Sequence, residues 1–234
     1  KLYGLNDKLS PNLDTKDITL RDADIARDVR SFISYGVGCM LGRYCLDFGG
    51  LTFAGGEWDV NKYKRFKPSG DNILIITDDD YHIEDITDKF IEFIRVSFGE
   101  GTLENNLGFI AGGLGGSGTP RRIIREYFLK DFYRDHVRAY QKRPIYWLYD
   151  SGRQNGFKAL IYIHRYDRNI TERVRINYLH KMIGVYRDVL NSLKEDMGYY
   201  EDGENIAQVK KRYQKISRQI QECMDFDAKL KELA

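Results

Sequence analysis

The stretch PIYWLYDSGRQNGFKALIYI, residues 144–163, joins two runs of aromatic and aliphatic residues through a loop that contains two glycines. The runs 144–149 and 157–163 have the length and the composition of β-strands. The Asn-Gly pair in the loop favours a chain reversal, so the stretch predicts a β-hairpin with a long loop. Because both runs carry apolar residues on both faces, we expect the hairpin to be buried or added to a sheet. Its predicted core comprises Tyr146, Trp147, Leu148, Phe157, Leu160 and Tyr162.

Downstream of this hairpin, apolar residues recur at alternating spacings of three and four. The pattern runs from Ile176 to Met197 and again from Ile206 to Cys223, with a glycine-bearing segment between the two runs. Two heptad runs joined in this way predict an antiparallel coiled-coil helical hairpin over residues 171–234.

Upstream of the hairpin, the periodicity predicts a mainly helical region. Glycine inside a helix costs roughly 1 kcal/mol relative to alanine, so the three glycines at positions 36, 38 and 42 predict close packing of the first helix. The fold class is therefore mainly α (α+β): a helical domain over 1–170 with a small sheet, then the helical hairpin over 171–234. Helices are predicted over 22–44, 83–98, 102–114 and 120–141, strands over 51–53 and 72–77, and a loop over 6–20.

Two segments of this region resemble ligand loops but are interpreted as helix starts. The acidic run TDDDYHIED, 77–85, lacks the spacing and the glycine of a calcium loop, and acidic residues favour the positive end of a helix dipole. The glycine-rich segment 112–118 is followed by Thr119-Pro120 instead of the Gly-Lys-Ser/Thr of a phosphate loop. Thr119 is the predicted N-cap and Pro120 the first helical residue.

The charge pattern limits where a polyanion could bind. The chain has 37 Lys and Arg against 35 Asp and Glu, a net charge of +2, so a nucleic-acid surface must be a local patch. Between Arg121 and Arg143 there are eight basic and three acidic residues, a local charge of +5. This segment is either a phosphate-binding patch or an ordinary solvated helix face, and the sequence leaves both interpretations open.

The residues that usually carry catalysis form no complete site. The four histidines lie singly, and the three cysteines (Cys39, Cys45 and Cys223) have no metal-ligand spacing. Their odd number suggests a reducing, cytoplasmic setting. We see no signal peptide and no apolar run near the ~20 residues of a membrane span, so no membrane partner is expected. No catalytic, cofactor-binding or metal-binding residue is predicted.

Three stretches resemble the adenine-specific DNA methyltransferases of BREX phage-resistance systems, the PglX family. They are LYGLNDKLSP…DITL within 2–20, SFISYGVGCMLGRYCLDFGGLTFAGGEWD at 31–59, and the most specific, residues 125–167 around the β-hairpin. Residues 112–118 are richer in glycine than the family pattern and lie outside it. The resemblance implies the C-terminal portion of a larger enzyme that uses S-adenosylmethionine to methylate adenine N6 and so marks host DNA. The long helical hairpin is similar, in architecture alone, to the spacer helices of restriction-modification specificity subunits.

The catalytic motif that such an enzyme needs, Asn/Asp-Pro-Pro-Tyr/Phe, is absent because none of the four prolines is adjacent to another. The resemblance therefore implies a non-catalytic DNA-recognition or clamp region that is inactive alone and holds no cofactor, with S-adenosylmethionine bound elsewhere in the parent. The implied partners are double-stranded DNA, the rest of the methyltransferase chain and other BREX proteins. The alternative is a scaffold that docks other defence subunits or braces the methyltransferase domain.

The candidate DNA-binding residues follow from this implication. Base edges are read by Arg, Lys, Asn or Gln on a framework that phosphate contacts position. The predicted hairpin tip offers such residues, and the basic helix before it offers cations. The candidates are Arg121, Arg122, Arg125, Lys142, Arg143, Arg153, Gln154, Asn155, Lys158 and Arg165.

Overall fold

The structure is a computed structural model that describes residues 22–199 and 204–233. It is mainly α with one small sheet, as predicted, and the loop predicted over 6–20 lies outside the described residues. Two π-helical segments, Phe128–Phe132 and Val174–Leu179, each continue one helix into the next. The helices are α1 Ile25–Met40, α2 Ile86–Phe98, α3 Leu103–Leu114, α4 Pro120–Tyr127, α5 Tyr133–Ala139, α6 Ile170–Arg173, α7 His180–Tyr199 and α8 Glu204–Leu233; the strands are β1 Ile73–Ile76, β2 Tyr146–Asp150 and β3 Lys158–Tyr162.

The sheet confirms the predicted hairpin and adds one strand to it. β3 lies in the middle and pairs antiparallel with β1 on one side and β2 on the other. The strand predicted over 72–77 is β1. The strand predicted over 51–53 was wrong, because the backbone N–H groups of Thr52 and Phe53 both donate to the carbonyl of Arg43, at 2.9 and 3.3 Å. That segment is thereby fastened to the loop after α1.

Each face of the sheet is covered by a different set of helices. Leu74 and Leu160 point into a cluster formed with α1 to α5. Ile73 and Ile161 point the other way, into a cluster formed with α6 to α8. The alternation of strand side chains across the pleat therefore divides the apolar core into two clusters on opposite faces of the same three strands.

One member of the predicted hairpin core lies at the surface. Trp147 is 48% exposed, whereas Tyr146, Phe157, Leu160 and Tyr162 are buried and Leu148 is partly buried. The prediction for Trp147 was wrong. Its side chain is on the same face of the sheet as that of Ile161, but β2 is an edge strand and the helices on that face do not cover Trp147. Its ring meets the edge of Tyr166 at a centroid distance of 5.8 Å.

The interpretations of the two segments as helix starts are confirmed, although α2 begins at Ile86, three residues later than predicted. The carboxylate of Asp85 accepts hydrogen bonds from the backbone N–H groups of Thr87 and Asp88. The carboxylate of Asp88 accepts one from the backbone N–H of Asp85, which completes a capping box. Thr119 caps α4 through its hydroxyl, and Pro120 is the first residue of that helix. The acidic and glycine-rich segments therefore have a local structural explanation.

The glycines of the first helix allow the close packing that their positions predicted. A Cβ on Gly36 would lie 2.8 Å from the ring of Phe90 and 3.0 Å from that of Phe93, both on α2. The helix ends at Met40, earlier than the predicted 44, because Gly42 has a φ of +84° and leaves the helical region.

The last third of the chain forms the predicted helical hairpin. Asp227, near the end of α8, binds Arg175 and His180, which lie near the start of the preceding helix, so the two helices run antiparallel. Their apolar positions also pack against Ile73 and Ile161 of the sheet. Regular coiled-coil packing between the two helices, and the division of the chain at residue 170, stay predictions.

Candidate nucleic-acid interface

The loop of the β-hairpin, residues 151–157, is organised around one carboxylate from α8. Glu222 Oε1 accepts the hydroxyl of Ser151 at 2.8 Å and the backbone N–H of Gly156 at 3.0 Å. Its other oxygen, Oε2, accepts the backbone N–H of Gln154 at 2.8 Å. Hydrogen bonds to an ionised acceptor are stronger than neutral ones, so Glu222 fixes the path of the loop.

A second side chain from α8 fastens the same loop. Gln219 is fully buried, and its Nε2 donates to the carbonyls of Gln154 at 3.1 Å and Asn155 at 3.3 Å, and to the carboxylate of Asp78 at 3.0 Å. A Cβ on Gly156 would lie 2.7 Å from the backbone oxygen of Gln219, so the loop approaches the helix as closely as only glycine permits.

The fastened loop presents two side chains to solvent. Arg153 and Gln154 are exposed, and Asn155, with a φ of +54°, is partly buried. Within the parts of the chain that the structure describes, no carboxylate forms an ion pair with Arg153 at 4.0 Å or less. The predicted tip is therefore a rigid backbone that carries an exposed guanidinium and an exposed amide.

The basic helix before the hairpin has most of its charge paired with its own neighbours. Such surface pairs stabilise by only about 0–1 kcal/mol, and they favour the interpretation of this segment as a solvated face. The pairs are Arg121–Glu104 at 2.6 Å, Arg122–Glu126 at 3.3 Å, Lys130–Glu126 at 2.9 Å, Arg134–Asp131 at 2.6 Å and Arg138–Asp135 at 3.7 Å.

Two of the candidate cations are used inside the fold. The side chain of Arg125 is 12% exposed and is paired with the fully buried carboxylate of Asp85, where it also bonds Thr77. Lys158 Nζ, on a side chain that is 13% exposed, donates to the carbonyl of Leu129 at 3.3 Å. These two side chains join the sheet and the 77–85 loop to the basic helix, and we leave them out of the proposed interface.

Arg165 also serves the fold. Its guanidinium donates to the carbonyls of Leu41, Ser69 and Gly70 at 3.1, 2.9 and 3.0 Å, and lies 3.7 Å over the ring of Trp58. Burial lowers the pKa of Arg165 to about 10. A guanidinium held by three carbonyls and one ring is not free to contact DNA, so Arg165 is left out as well.

The remaining two candidates, Lys142 and Arg143, lie in the turn after α5. Both are exposed, and the turn contains positive φ angles of 49° at Gln141 and 65° at Lys142. The five residues of β2 separate this turn from the loop, a distance of roughly 17 Å at ~3.4 Å per residue. The structure therefore places the candidates at two opposite ends of the hairpin.

A buried histidine supports β2 at the end of the hairpin opposite its loop, which we call the open end. His136 Nε2 accepts the backbone N–H groups of Ile145 and Tyr146, each at 3.2 Å. Desolvation lowers the pKa of His136 to about 4, with a smaller contribution from the positive charge of Arg43. The ring is thus neutral near pH 7 and able to accept both bonds.

Arg121 and Arg122 lie nearer the loop end, where they line a cleft of about 520 Å³. The cleft is not a basic groove, because its lining holds more carboxylates than cations. The carboxylates are Asp78, Asp79, Asp80, Asp88 and Glu126, and the cations are Arg121, Arg122, Arg125 and Lys215.

The sequence did not reveal the two residues that fix the loop. Gln219 and Glu222 lie beside the apolar heptad positions Ile220 and Cys223, where polar residues are typical of a solvent-facing stripe. Their partners are more than 60 positions earlier in the chain. The glycines of the loop were the available signal, since they indicated a close backbone approach without naming its partner.

Other kinds of site find no support in the described part of the chain. No cluster of three His, Cys, Asp or Glu residues there could hold a metal ion. Among those same residues, none of the helices has the length and hydropathy to cross a membrane. The three cysteines are buried free thiols, and burial raises the pKa of Cys39 and of Cys223 to about 12, which disfavours the reactive thiolate.

Comparison with known proteins agrees with the resemblance carried by the three stretches. No protein-family model matches the chain. The whole chain is 44% identical, over 241 aligned residues, to 20% of the adenine-specific methyltransferase PglX of Lacticaseibacillus casei (strain Zhang). A second relative, the adenine-specific methyltransferase BrxX of Escherichia coli O9:H4 (strain HS), is 33% identical over 223 residues, which are 88% of this chain and 18% of that protein. The chain thus spans about one fifth of the length of these curated relatives.

Proposed function

This chain belongs to the PglX family of adenine-specific methyltransferases, and we propose that it is a non-catalytic DNA-recognition and clamp region. In this proposal it is the C-terminal region of an S-adenosylmethionine-dependent adenine N6 methyltransferase that acts in phage defence. The cofactor would be bound by the rest of the methyltransferase chain, which is one partner of this region. Double-stranded DNA is the other, and the buried free thiols suit a cytoplasmic setting.

One observation carries the proposal: a loop whose backbone is fixed from α8 presents Arg153 and Gln154 to solvent. Arginine recognises guanine and glutamine recognises adenine through paired hydrogen bonds in the major groove. A loop that is already ordered loses less conformational entropy on binding than a free one. Arg121 and Arg122 lie near the loop end of the hairpin, and on binding they would leave their carboxylate partners and contact DNA phosphates instead.

The test compares two arginines of equal charge. Affinity for duplex DNA is measured by fluorescence anisotropy between about 50 and 200 mM salt, for the unchanged chain, Arg153→Ala and Arg134→Ala. Loss of one base contact should weaken binding about 5- to 150-fold, corresponding to about 1–3 kcal/mol. Arg134 is exposed and paired with Asp131, and it does not line the cleft that holds Arg121 and Arg122, so its removal should change affinity less than about twofold.

Two results would contradict the proposal. One is the absence of any affinity for duplex DNA at 50 mM salt, where phosphate contacts are strongest. The other is an equal effect of the two substitutions, which would mean that the loop has no special part in binding. In the full-length methyltransferase, Arg153→Ala should slow methylation while leaving the binding of S-adenosylmethionine unchanged.

A second candidate function, a scaffold that docks defence subunits or braces the methyltransferase domain, is favoured by one surface. Ile25, Phe98 and Phe109 are 60, 51 and 64% exposed and line a groove of about 410 Å³ beside α1 and α3. Contiguous apolar surface of this kind is typical of protein contacts. Phe109→Ser should weaken the association of this chain with the remainder of the methyltransferase supplied separately, without altering DNA affinity. Unchanged association would oppose this function.

A further inference from the structure

The open end of the β-hairpin exposes two large aromatic rings beside each other. Trp147 and Tyr166 are each 48% exposed, and their planes meet at 60°. The chain has one other tryptophan, Trp58, which is partly buried, stacks on Tyr63 at 5.1 Å and is covered by Arg165. Trp147 differs from it in having a large part of its surface available to a ligand.

Three exposed cations flank this aromatic pair. Lys142 and Arg143 stand just before Ile145, whose carbonyl accepts the backbone N–H of Ile163 at 3.0 Å, three residues before Tyr166. Arg168 follows Tyr166 by two positions, which span at most about 7 Å. The cations and the rings therefore share one end of the sheet.

The three cations of this end have no ion-pair partner among the residues that the structure describes. Over residues 22–199 and 204–233, no carboxylate lies within 4.0 Å of the cationic groups of Lys142, Arg143 or Arg168. The neighbouring Asp167 is held by Arg173, with two bonds to the guanidinium. The pattern is the opposite of that on the basic helix, where each exposed arginine has a nearby carboxylate.

We propose that this surface, which we call the aromatic end and define by Lys142, Arg143, Trp147, Tyr166 and Arg168, binds an unpaired nucleotide of a DNA strand. Trp147 would stack on the base, and the cations would contact the adjacent phosphates. The inference rests on the proposed function and adds to it a second DNA contact, at the opposite end of β2 from Arg153.

The chemistry of the aromatic end favours a nucleic-acid strand over a protein. Stacking of one base on an aromatic side chain contributes about 1–3 kcal/mol and tolerates any base. Cations next to a stacking ring are the usual companions of such a site, because each base brings its phosphate. An enzyme that acts on a base inside a duplex must unstack it, so its DNA contains unpaired nucleotides during the reaction.

The test uses the emission of Trp147 as a direct reporter. The chain is titrated with a single-stranded oligonucleotide, with a duplex that has one unpaired base, and with a fully paired duplex. DNA with an unpaired base should quench the tryptophan emission, and the quenching should vanish in Trp147→Phe, in which Trp58 is the remaining tryptophan. Trp147→Leu should weaken binding of the single strand about 5- to 150-fold, whereas Trp147→Phe, which keeps a stacking ring, should weaken it less.

Thermal unfolding of each variant establishes that the chain still folds, and Arg153→Ala separates this inference from the proposed function. Duplex affinity could depend on Arg153 while DNA leaves the tryptophan emission unchanged and Trp147→Leu leaves single-strand affinity unchanged. In that case the aromatic end is not a DNA site, and the proposed function stands. If neither residue matters, both are wrong. If Trp147→Leu instead abolishes association with the remainder of the methyltransferase and leaves DNA binding intact, the surface is a protein contact and this inference is overturned.

Discussion

The two ends of one β-hairpin are held in opposite ways. At the loop end, Glu222 and Gln219 reach from a helix far along the chain and satisfy the loop backbone. At the open end, support comes from inside, through the buried His136, and the outer side chains, Trp147 and Arg143, are left exposed. A rigid backbone and an exposed binding surface are therefore built from different contacts in this hairpin. The loop end uses tertiary contacts to present two side chains, whereas the open end keeps its exposed side chains out of the contacts that support the fold.

Removal of the Glu222 contacts at the loop end should destabilise the chain most. Glu222→Ala removes the acceptor of three hydrogen bonds at 2.8–3.0 Å and should lower the free energy of unfolding by about 3 kcal/mol, as measured by urea denaturation. Glu222→Gln keeps an accepting oxygen and is the matched control, with an expected loss near 1 kcal/mol. Equal losses in the two variants would show that a single accepting oxygen does not hold the loop and that both oxygens of Glu222 are needed.

The next effect concerns the internal support of the open end. The pKa of His136 is about 4 in the folded chain, below the usual value of about 6.5 in an unfolded one, so the unfolded chain binds more protons between these values. The stability contributed by this group should therefore be full above pH 6.5, fall by about 3 kcal/mol as the pH drops through 4, and level off below that. Urea denaturation at several pH values measures it.

Carboxylates titrate in the same range, so the informative quantity is the difference between the unchanged chain and His136→Gln. The glutamine cannot be protonated there, and the component between pH 4 and 6.5 should disappear. A difference curve that is flat with pH would mean that protonation of His136 does not affect stability.

Removal of an exposed side chain at the open end should change stability least. Arg143→Ala removes an exposed side chain that has no carboxylate partner among the described residues, so unfolding should change by less than about 0.5 kcal/mol. Arg165→Ala is the contrast, because it removes a donor to three carbonyls and should cost about 2 kcal/mol in the same thermal or urea measurement. Similar losses at the two positions would remove the distinction between surface and structural arginines.

Much of the fold could be predicted because it depends on neighbours in sequence. The N-cap Thr119, the hairpin and the helical hairpin all follow from turn residues and short periods. Trp147 was misplaced because the alternation fixes which side of a strand a residue faces but not whether that side is covered at the sheet edge. The strand predicted at 51–53 failed for a similar reason: an apolar run does not reveal which carbonyl its backbone will find.

The candidate site was less predictable, because residue type does not say whether a cation is already used. Arg125, Lys158 and Arg165 have the chemistry of DNA contacts and are held by the fold. The positive charge of 121–143 is reduced by carboxylates one helical turn away or on a neighbouring helix. These pairings depend on rotamers and packing, which a count of charges does not contain.

The middle position of β3 makes unfolding of the two helical layers cooperative. Its side chains alternate between the two apolar clusters, and Ala159, Leu160 and Ile161 are all fully buried. If the helical hairpin beyond residue 170 detached, the side chains of Ile161 and its neighbour Ile73 would become exposed to water. If α1 to α5 detached instead, the side chain of Leu160 would become exposed. Loosening of either layer therefore uncovers one side of the same strand, which couples the two layers into one cooperative unit. In hydrogen exchange, the amides of β3 should open only with global unfolding, even though the strand is just five residues long.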